Sequence, residues 1–350
     1  MNWTKKNVLV TGGASFIGSH LVDALIKREA KYIRIVDNLS SGKLSNIDKH
    51  LRSGPVHFIL GDLSVEEDLR DAFRGEIDIV FHLAADHGGR GYVDLHQVAC
   101  AKNLGLDSLF FAECAEKKVE KVIYASSACI YPGYKQSDIT KEIYLKEIDD
   151  GREKGYQADN LYGWAKLMAE MTLKAYYEEQ GMKSASLRFF TVYGNRGVEN
   201  HAIISMIAKS FIRQNPFEIW GTGTAIRNWT HVTDIVEGMV LAAEKIDNAR
   251  AINLGTDERI RVVDAAGIVV DYVQEKYYPD YIPEFLFLPD MPVGPVNRTA
   301  DFSLAQKLLG WEPKVKFSEG VKTTIDWYFK NKEESKVRKI FEKKLLTEKL

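Results

Sequence analysis

Short apolar runs alternate with amphipathic segments along the first half of the chain. The apolar runs are bounded by turn-forming or polar residues and lie at 6–11, 32–37, 56–60, 77–83 and 119–125. Runs of this length are typical of buried strands, and the helical periodicity between them indicates βαβ units. The pattern therefore predicts an α/β fold of Rossmann type, with a doubly wound parallel sheet and helices on both faces.

The alternation is looser from about residue 190 onward. The elements predicted here are a strand, a helix and a strand that returns to the sheet, at 217–220, 232–243 and 250–254. We expect a Rossmann domain of residues 1–187 plus about 228–256, and a smaller C-terminal α/β domain of about 188–227 plus 257–330. Residues 331–350 are predicted to form a charged surface helix with one apolar stripe. The stripe consists of Val337, Ile340, Phe341 and Leu345.

Composition narrows the class of protein. The chain has 350 residues, 45% of them hydrophobic, which is enough for a large core. Its net charge of −2 favours neither nucleic acid nor an anionic membrane as a partner. No apolar stretch reaches the roughly 20 residues that span a bilayer, and the first strand begins too early to leave room for a signal peptide. Cys100, Cys114 and Cys129 are odd in number and lack metal-ligand spacing, so we expect a reduced, cytoplasmic protein without a metal site.

A glycine-rich turn follows the first predicted strand and precedes a helix. Gly12 and Gly18 bracket this turn, and backbone N–H groups at such a helix N-terminus bind a pyrophosphate. Ser15 stands where a third glycine is usual, and we expect this small hydrogen-bond donor to be tolerated. Asp37 ends the second predicted strand, where a carboxylate suits the ribose hydroxyls and repels a 2′-phosphate. The turn therefore predicts NAD in preference to NADP as the cofactor.

Tyr162 and Lys166 are spaced i and i+4 and are predicted to project from one face of a helix. A lysine ammonium group is expected to lower the pKa of a neighbouring phenol, so Tyr162 could exchange a proton with a substrate hydroxyl near neutral pH. Ser127 and Cys129 follow an apolar run, and two residues at i and i+2 on a strand face the same side. The predicted site therefore contains a hydroxyl, a thiol and a tyrosine–lysine pair.

The chain resembles the extended short-chain dehydrogenases/reductases of the nucleotide-sugar epimerase/dehydratase type over about residues 5–330. The matching segments are the glycine turn 11–18, His82–Ala85, Ser127 with Tyr162 and Lys166, Arg188–Gly194 and Leu309–Pro313. The resemblance implies that the Rossmann domain holds NAD and that the smaller domain holds a nucleoside-diphosphate sugar. It also implies a homodimer formed through helices near residues 95–115 and 160–178.

The resemblance also assigns individual residues. The residues expected to contact NAD are Gly12, Ser15, Phe16, Ile17, Gly18, Asp37, Asn38, Asp62, Leu63, Ala84, Tyr162 and Lys166. Those expected to contact the nucleotide sugar are Gly88, Gly89, Arg90, Thr191, Asn200, Lys209, Arg227 and Arg298. Arg227 and Arg298, in predicted loops, are expected at the diphosphate, since a guanidinium group binds phosphate oxygens in bidentate fashion.

Two further segments favour one type of enzyme within this family. Ser127–Pro132 and Ala85–Tyr92 are similar to GDP-mannose 3,5-epimerases, and the acidic pair of 4,6-dehydratases is replaced by Ala128 and Cys129. The resemblance implies that Cys129 is one acid/base group, and His201 stands near the position of its usual lysine partner. The segment 189–194 and Arg90 also resemble UDP-glucuronate 4-epimerases, so a UDP-hexose or UDP-glucuronate 4-epimerase is an alternative, and a non-catalytic NAD-binding protein is a third.

Overall fold

The computed structural model describes residues 1–52 and 54–347, and the side chains of these residues as far as residue 342. The described strands are β1 (Asn7–Thr11), β2 (Tyr32–Asp37), β3 (Val56–Leu60), β4 (Ile79–His82), β5 (Lys121–Ser127), β6 (Ser184–Phe189), β7 (Thr191–Tyr193), β8 (Phe217–Trp220), β9 (Ile226–Arg227), β10 (Trp229–His231), β11 (Arg250–Leu254), β12 (Ile260–Arg261), β13 (Phe285–Leu288) and β14 (Asn297–Arg298). The described helices are α1 (Phe16–Lys27), α2 (Asp48–Leu51), α3 (Glu66–Ala72), α4 (Arg90–Leu95), α5 (Gln97–Glu116), α6 (Asn160–Gln180), α7 (Ala202–Phe211), α8 (Val232–Lys245), α9 (Val262–Lys276), α10 (Ser303–Leu309), α11 (Phe317–Asn331) and α12 (Glu334–Thr347).

A seven-stranded parallel sheet forms the centre of the molecule, in the order β11-β6-β5-β4-β1-β2-β3. Successive side chains of β1 enter opposite layers of the core, because strand residues alternate between faces. Val8 and Val10 pack with α1 and α8, whereas Leu9 packs with α3 and α5. The strand order reverses direction between β1 and β4, and ligands of such sheets bind at this point. The predicted Rossmann-type fold is confirmed.

Several strand boundaries differ from the predicted ones by one or two residues. β4 begins at Ile79, two residues after the start of the predicted run. Just before it, the Asp78 N–H donates to the Asn7 carbonyl at 2.9 Å, and the Asn7 N–H donates to the Asp78 carboxylate at 2.6 Å. β5 continues to Ser127, whose partner in the β6 register is Phe189. The predicted strand at 217–220, the helix beginning at residue 232 and the strand at 250–254 are confirmed as β8, α8 and β11.

The second half of the chain adds three small sheets and a separate hydrophobic cluster. The sheets pair β7 with β10, β8 with β13, and β9 with both β12 and β14. The cluster joins α7, α9 and α11. The predicted C-terminal helix is α12, in which Val337 is buried against this cluster and Arg338 donates to the Ile212 carbonyl at 2.7 Å. The side chain of Leu345 and residues 348–350 lie outside the described part of the chain. The domain boundaries stay a prediction.

Of the described helices, none combines the length and the apolar character needed to cross a membrane.

A buried ion pair ties the end of β6 to α6. Arg188 Nη2 donates to Glu170 Oε2 at 2.7 Å, and the Ser126 hydroxyl of β5 donates to the same carboxylate. Arg188 Nη1 also donates to the Tyr131 hydroxyl at 3.1 Å and to the Glu147 carbonyl at 2.8 Å. Both charged side chains are almost fully buried, so each depends on the other for its charge balance. This ion pair stabilises the edge of the sheet at which the site lies.

Replacing Glu170 with Gln should lower the free energy of unfolding by about 3 kcal/mol, because it removes the nearer carboxylate of a buried arginine. Urea unfolding followed by circular dichroism measures the loss. Glu178→Gln on the same helix is the matched control, since the Glu178–Lys174 pair is exposed and worth at most about 0.5 kcal/mol. Equal unfolding midpoints for the two variants would contradict the assigned role of the Arg188–Glu170 pair.

Candidate active site

The turn between β1 and α1 is shaped by two glycines. Gly12 has φ of 68°, and a Cβ there would lie 3.1 Å from the Ala84 nitrogen. A Cβ on Gly18 would lie 2.2 Å from the Gly12 carbonyl oxygen, so only glycine allows α1 to approach the turn this closely. The Ser15 hydroxyl donates to the same carbonyl at 2.6 Å and thus helps to hold the turn. The free N–H groups at the start of α1 form a donor set that fits a pyrophosphate.

The residues predicted to bind the nucleoside lie together at the ends of β2 and β3. The Asp37 carboxylate accepts N–H bonds from Ala14 at 3.0 Å and Leu39 at 2.8 Å, and desolvation raises its pKa. The Asn38 amide donates to Asp62 Oδ2 at 3.2 Å. A carboxylate held in this way offers acceptors to ribose hydroxyls, and these residues fit NAD. The individual contacts with NAD stay predictions.

Ser127, Tyr162 and Lys166 meet at the carboxyl end of β5. Tyr162 lies in the first turn of α6, and Ser127 is near enough to lower its pKa. The Lys166 ammonium nitrogen lies 5.8 Å from the centre of the Tyr162 ring, and the lysine side chain is buried. The structure therefore brings together the hydroxyl, the phenol and the ammonium group in the predicted grouping.

The pKa of Tyr162 is raised, whereas we expected it to be lowered by Lys166. Desolvation raises the pKa of Tyr162, the nearby Cys129 raises it further, and Ser127 lowers it only in part. Desolvation also lowers the pKa of Lys166, because burial disfavours a charged ammonium group. The spacing of the two side chains was predicted correctly, but burial is the largest cause of both pKa shifts.

Cys129 is not on the strand, so the prediction that it shares a strand face with Ser127 is wrong. β5 ends at Ser127, and residues 128–130 form one 3₁₀ turn. The Ser127 hydroxyl oxygen accepts the Cys129 N–H at 3.1 Å and thereby caps the turn. The thiol sulfur lies 3.5 Å from Arg298 Nη1, which donates to it.

Arg227 and Arg298 are neighbours on two short strands, not residues of separate loops as predicted. They are register partners in the parallel pairing of β9 with β14. Both hydrogen bonds found for the Arg227 guanidinium group go to carbonyl oxygens, those of Ile226 at 2.8 Å and Val293 at 2.7 Å. Desolvation, followed by the charges of Arg298 and Arg90, lowers the pKa of Arg227 to about 9. Such a crowded group of cations favours the binding of an anion.

Acidic side chains fix the other two arginines of this group. Asp159 Oδ2 accepts from Arg90 Nη1 at 2.6 Å and from Arg298 Nη2 at 3.3 Å. Asp94 Oδ2 accepts from Arg90 Nε at 2.7 Å. Gln136, which is fully buried, accepts from Arg298 Nε at 2.6 Å. Arg90 and Arg298 are thus oriented by carboxylates, whereas the charge of Arg227 is less compensated.

The loop after β4 packs against the segment before α7. A Cβ on Gly89 would lie 1.9 Å from the Asn200 carbonyl oxygen, so this contact requires glycine. His201 is the residue directly before α7, and its ring centre lies 6.3 Å from that of His87 in the loop after β4. A Cβ on Gly88 would meet the Tyr92 side chain at 2.6 Å. Gly88 and Gly89 therefore permit close packing of the loop, and any contact with substrate stays a prediction.

Lys209 and Thr191, which are also predicted to contact the substrate, have partners within the protein. The Lys209 ammonium group donates to the Glu218 carbonyl at 2.6 Å, close to the ring of Phe217. Thr191 begins β7 and pairs with Trp229 of β10. The role of both side chains in binding a sugar nucleotide stays a prediction.

Several residues that shape the site were not predicted from the sequence. Asp159, Asp94 and Gln136 orient the arginines, and Gly163 allows α6 to approach the Cys129 turn, since a Cβ there would lie 2.2 Å from the Cys129 carbonyl oxygen. Glycine directly after Tyr162 in a helix was the available signal, because helix interiors disfavour glycine without a packing reason. In the described part of the chain there is no cluster of three or more metal-ligating side chains.

Comparison with known proteins agrees with this geometry. The NAD dependent epimerase/dehydratase family matches residues 8–255. GDP-mannose 3,5-epimerase of Arabidopsis thaliana is 30% identical over 343 residues, covering 96% of this chain and 86% of that protein. The solved UDP-glucose 4-epimerase of Thermotoga maritima, with UDP-glucose, is 29% identical with a TM-score of 0.80, covering 93% of this chain and 100% of that one.

A second solved structure contains the cofactor. UDP-glucuronic acid 4-epimerase of Bacillus cereus, in complex with UDP-glucuronic acid and NAD, is 27% identical with a TM-score of 0.78, covering 92% of this chain and 98% of that one. NAD is the cofactor of this chain, in agreement with the glycine turn and Asp37. The match over residues 8–255, together with the Ser127, Tyr162 and Lys166 site, shows that the chain belongs to the NAD-dependent epimerase/dehydratase family of nucleotide-sugar enzymes.

Proposed function

We propose that the protein is a nucleotide-sugar epimerase that works through a transient 4-keto sugar, as GDP-mannose 3,5-epimerases do. The observation that supports this is the position of Cys129. Its thiol lies next to Arg298 and in the same site as Ser127, Tyr162 and Lys166. An acid/base group beside the oxidation site is what inversion of the carbons next to a ketone requires.

The first step is proton removal from the C4 hydroxyl of the sugar. The glycine turn and Asp37 would hold NAD, which would supply a reversible acceptor for the C4 hydride. Tyr162 takes the hydroxyl proton, and Ser127 donates a hydrogen bond to the same oxygen. Because burial raises the pKa of Tyr162, its deprotonation depends on positive charge nearby, and Lys166 supplies that charge from the same helix.

The second step is inversion beside the ketone. A C4 ketone acidifies the C–H bonds at C3 and C5, because the resulting carbanion is delocalised as an enolate. Cys129 removes a proton from one face of the ring, and His201 delivers a proton to the other face. Arg227 and Arg298 hold the diphosphate, whose negative charge offsets the repulsion among Arg227, Arg298 and Arg90. The substrate leaves with its oxidation state unchanged.

A 4-epimerase is the second candidate. Two solved neighbours are UDP-sugar 4-epimerases, and they match this chain about as well as the Arabidopsis relative does. In that reaction the keto sugar rotates within the site and receives hydride on its other face. No thiol is needed, so Cys129 would only line the pocket. A non-catalytic NAD-binding protein would give no reason for Ser127, Tyr162 and Lys166 to meet in one site.

We also propose that the protein is a homodimer that joins two copies of the α5–α6 face. Large apolar side chains are exposed along this face in the single chain. They are Leu95, Val98, Leu104 and Leu109 on or next to α5 and Leu161, Met168 and Met171 on α6. Exposed apolar residues grouped on two packed helices are typical of an interface. We also propose a cytoplasmic location, as expected from the cysteine content.

Tyr162→Phe should abolish turnover while NAD stays bound, whether the substrate is GDP-mannose or UDP-glucuronate. The reason is that the variant lacks the phenol that accepts the hydroxyl proton. Product analysis by NMR and the NAD content of the purified protein test this. Tyr177→Phe is the matched control, since Tyr177 is exposed on the same helix, and it should retain activity. Normal activity of the Tyr162 variant would exclude the assigned base.

Turnover of GDP-mannose in D2O should place deuterium at C3 or C5 of the recovered sugar, because Cys129 and His201 exchange protons with solvent. NMR and mass spectrometry of the sugar locate the label. Cys129→Ala should stop the exchange yet still allow hydride transfer from C4 of the sugar to NAD. Cys114→Ala is the control, since this buried cysteine lies on α5, and it should leave the exchange intact. Turnover without incorporation of deuterium would favour the 4-epimerase.

Leu109→Asp combined with Met171→Asp should convert the dimer into a folded monomer, because each charge would be buried at the apolar interface. Sedimentation velocity gives the oligomeric state, and circular dichroism checks the fold. Ile282→Asp is the control, since Ile282 is exposed in the second half of the chain, away from α5 and α6. A native protein that sediments as a monomer at micromolar concentration would contradict the proposed interface.

A further inference from the structure

A buried carboxylate lies behind the catalytic lysine. Asp107 of α5 is only 2% exposed. Its Oδ2 accepts from the Tyr124 hydroxyl at 2.6 Å, and its Oδ1 lies 3.0 Å from His82 Nε2. The His82 ring stacks on Phe110 with a distance of 3.9 Å between ring centres, which fixes its orientation. Asp107 is thus bound by two aromatic side chains on neighbouring strands of the sheet.

The hydrogen bonds of Thr11 identify the tautomer of His82. Thr11 Oγ1 accepts the N–H groups of Leu83 and Ala84, each at 3.1 Å, so both its lone pairs are used. Its single proton is therefore donated to His82 Nδ1, 2.8 Å away, and the ring proton of His82 resides on Nε2 and points to Asp107. Burial lowers the pKa of His82, in agreement with a neutral ring. His82 therefore does not neutralise the charge of Asp107.

Lys166 is linked to this carboxylate through Tyr124. Its side chain is 2% exposed, and its ammonium nitrogen lies 4.6 Å from the centre of the Tyr124 ring, whose hydroxyl donates to Asp107. Burial lowers the pKa of Lys166, whereas Asp107, ahead of Glu170, raises it. Glu170 is itself bound to Arg188 and Ser126, so its charge is already balanced.

The groups that face Lys166 come from every element packed around it. On its own helix they are Tyr162 and Glu170, and from the other elements they are Asp107 of α5, Tyr124 of β5, His82 of β4 and His87 in the loop after β4. Of these only Asp107 and Glu170 carry a negative charge. Asp107 is the one of the two that no arginine or lysine neutralises by direct contact among the described residues.

We propose that Asp107 is a positioning residue whose buried carboxylate is the counter-charge of Lys166 and fixes the Tyr124 ring beneath the ammonium group. Through His82 and Thr11 the same carboxylate is linked to the backbone of Ala84 beside the cofactor turn. The consequence for catalysis rests on the proposed role of Lys166 as the charge that supports Tyr162. Without Asp107, Lys166 would lose its proton at lower pH, and the alkaline limb of activity would move to lower pH.

The experiment measures the ionisation of Lys166 directly, without a substrate. In NAD-loaded protein labelled with [13Cε]lysine, the Lys166 resonance is assigned by its loss in Lys166→Arg and is then titrated. Asp107→Asn should lower the titration midpoint by about one pH unit, because it removes a buried carboxylate that favours the charged form of Lys166. Glu113→Gln makes the same change of charge on the same helix, away from the site, and should leave the midpoint unchanged.

Two further variants keep the proposal testable. Asp107→Thr removes the charge with a smaller side chain and should lower the midpoint as Asp107→Asn does, which covers a failure of the Asn variant to fold. Tyr124→Phe keeps the carboxylate and should lower the midpoint less. An unchanged midpoint in the Asp107 variants, or an equal drop in Glu113→Gln, would overturn the proposal.

A kinetic measurement separates this proposal from the proposed function. With GDP-mannose as substrate, the alkaline limb of kcat/KM should move to lower pH in Asp107→Asn by the same amount as the Lys166 midpoint. If the native protein does not convert GDP-mannose, the proposed substrate is wrong, but the NMR titration still decides the role of Asp107. If GDP-mannose is converted and the Lys166 midpoint does not move, the role of Asp107 is wrong and the proposed function stands.

Discussion

The site depends on the close approach of α6 to the end of β5. The Cys129 carbonyl accepts the Asp159 N–H at 2.8 Å, and a Cβ at position 163 would lie 2.2 Å from that carbonyl oxygen. Glycine at 163 therefore sets how near the helix comes to the turn. The approach places Tyr162 beside Ser127 and brings Asp159 into contact with Arg90 and Arg298. A larger residue there would displace a whole helix, and with it the reacting groups.

Charge balance is the second constraint on this site. Arg90 and Arg298 are oriented by Asp159, and Lys166 is linked through Tyr124 to the buried Asp107. Buried charges are tolerated in proteins when they are paired and hydrogen-bonded. Arg227 differs, because its hydrogen bonds go to carbonyl oxygens and its cationic neighbours lower its pKa. Of these three arginines, Arg227 is therefore the least compensated, and it lies where we propose that a diphosphate binds.

The reaction within this family is decided by few side chains. The Rossmann sheet, the glycine turn and the tyrosine–lysine pair fit any member that oxidises a sugar hydroxyl, and a fold alone does not identify a function. The turn after β5 is different, because a side chain there lies next to Ser127 and Arg298. A thiol at Cys129 suits proton exchange beside a ketone and has no evident use in a reaction that moves only hydride. This position therefore carries most of the argument about specificity.

The sequence by itself determined the Rossmann fold, the glycine turn, the position of Asp37 at the end of β2 and the spacing of Tyr162 and Lys166 on α6. Each of these follows from residues close together in the chain, where periodicity and turn chemistry act locally. Tertiary structure alone decided that Cys129 lies in a capped turn and that Arg227 and Arg298 are register partners. It also decided that burial raises the pKa of Tyr162 and that Asp107 faces Lys166. These facts depend on contacts between distant segments and on exclusion of water, which no local pattern in the chain records.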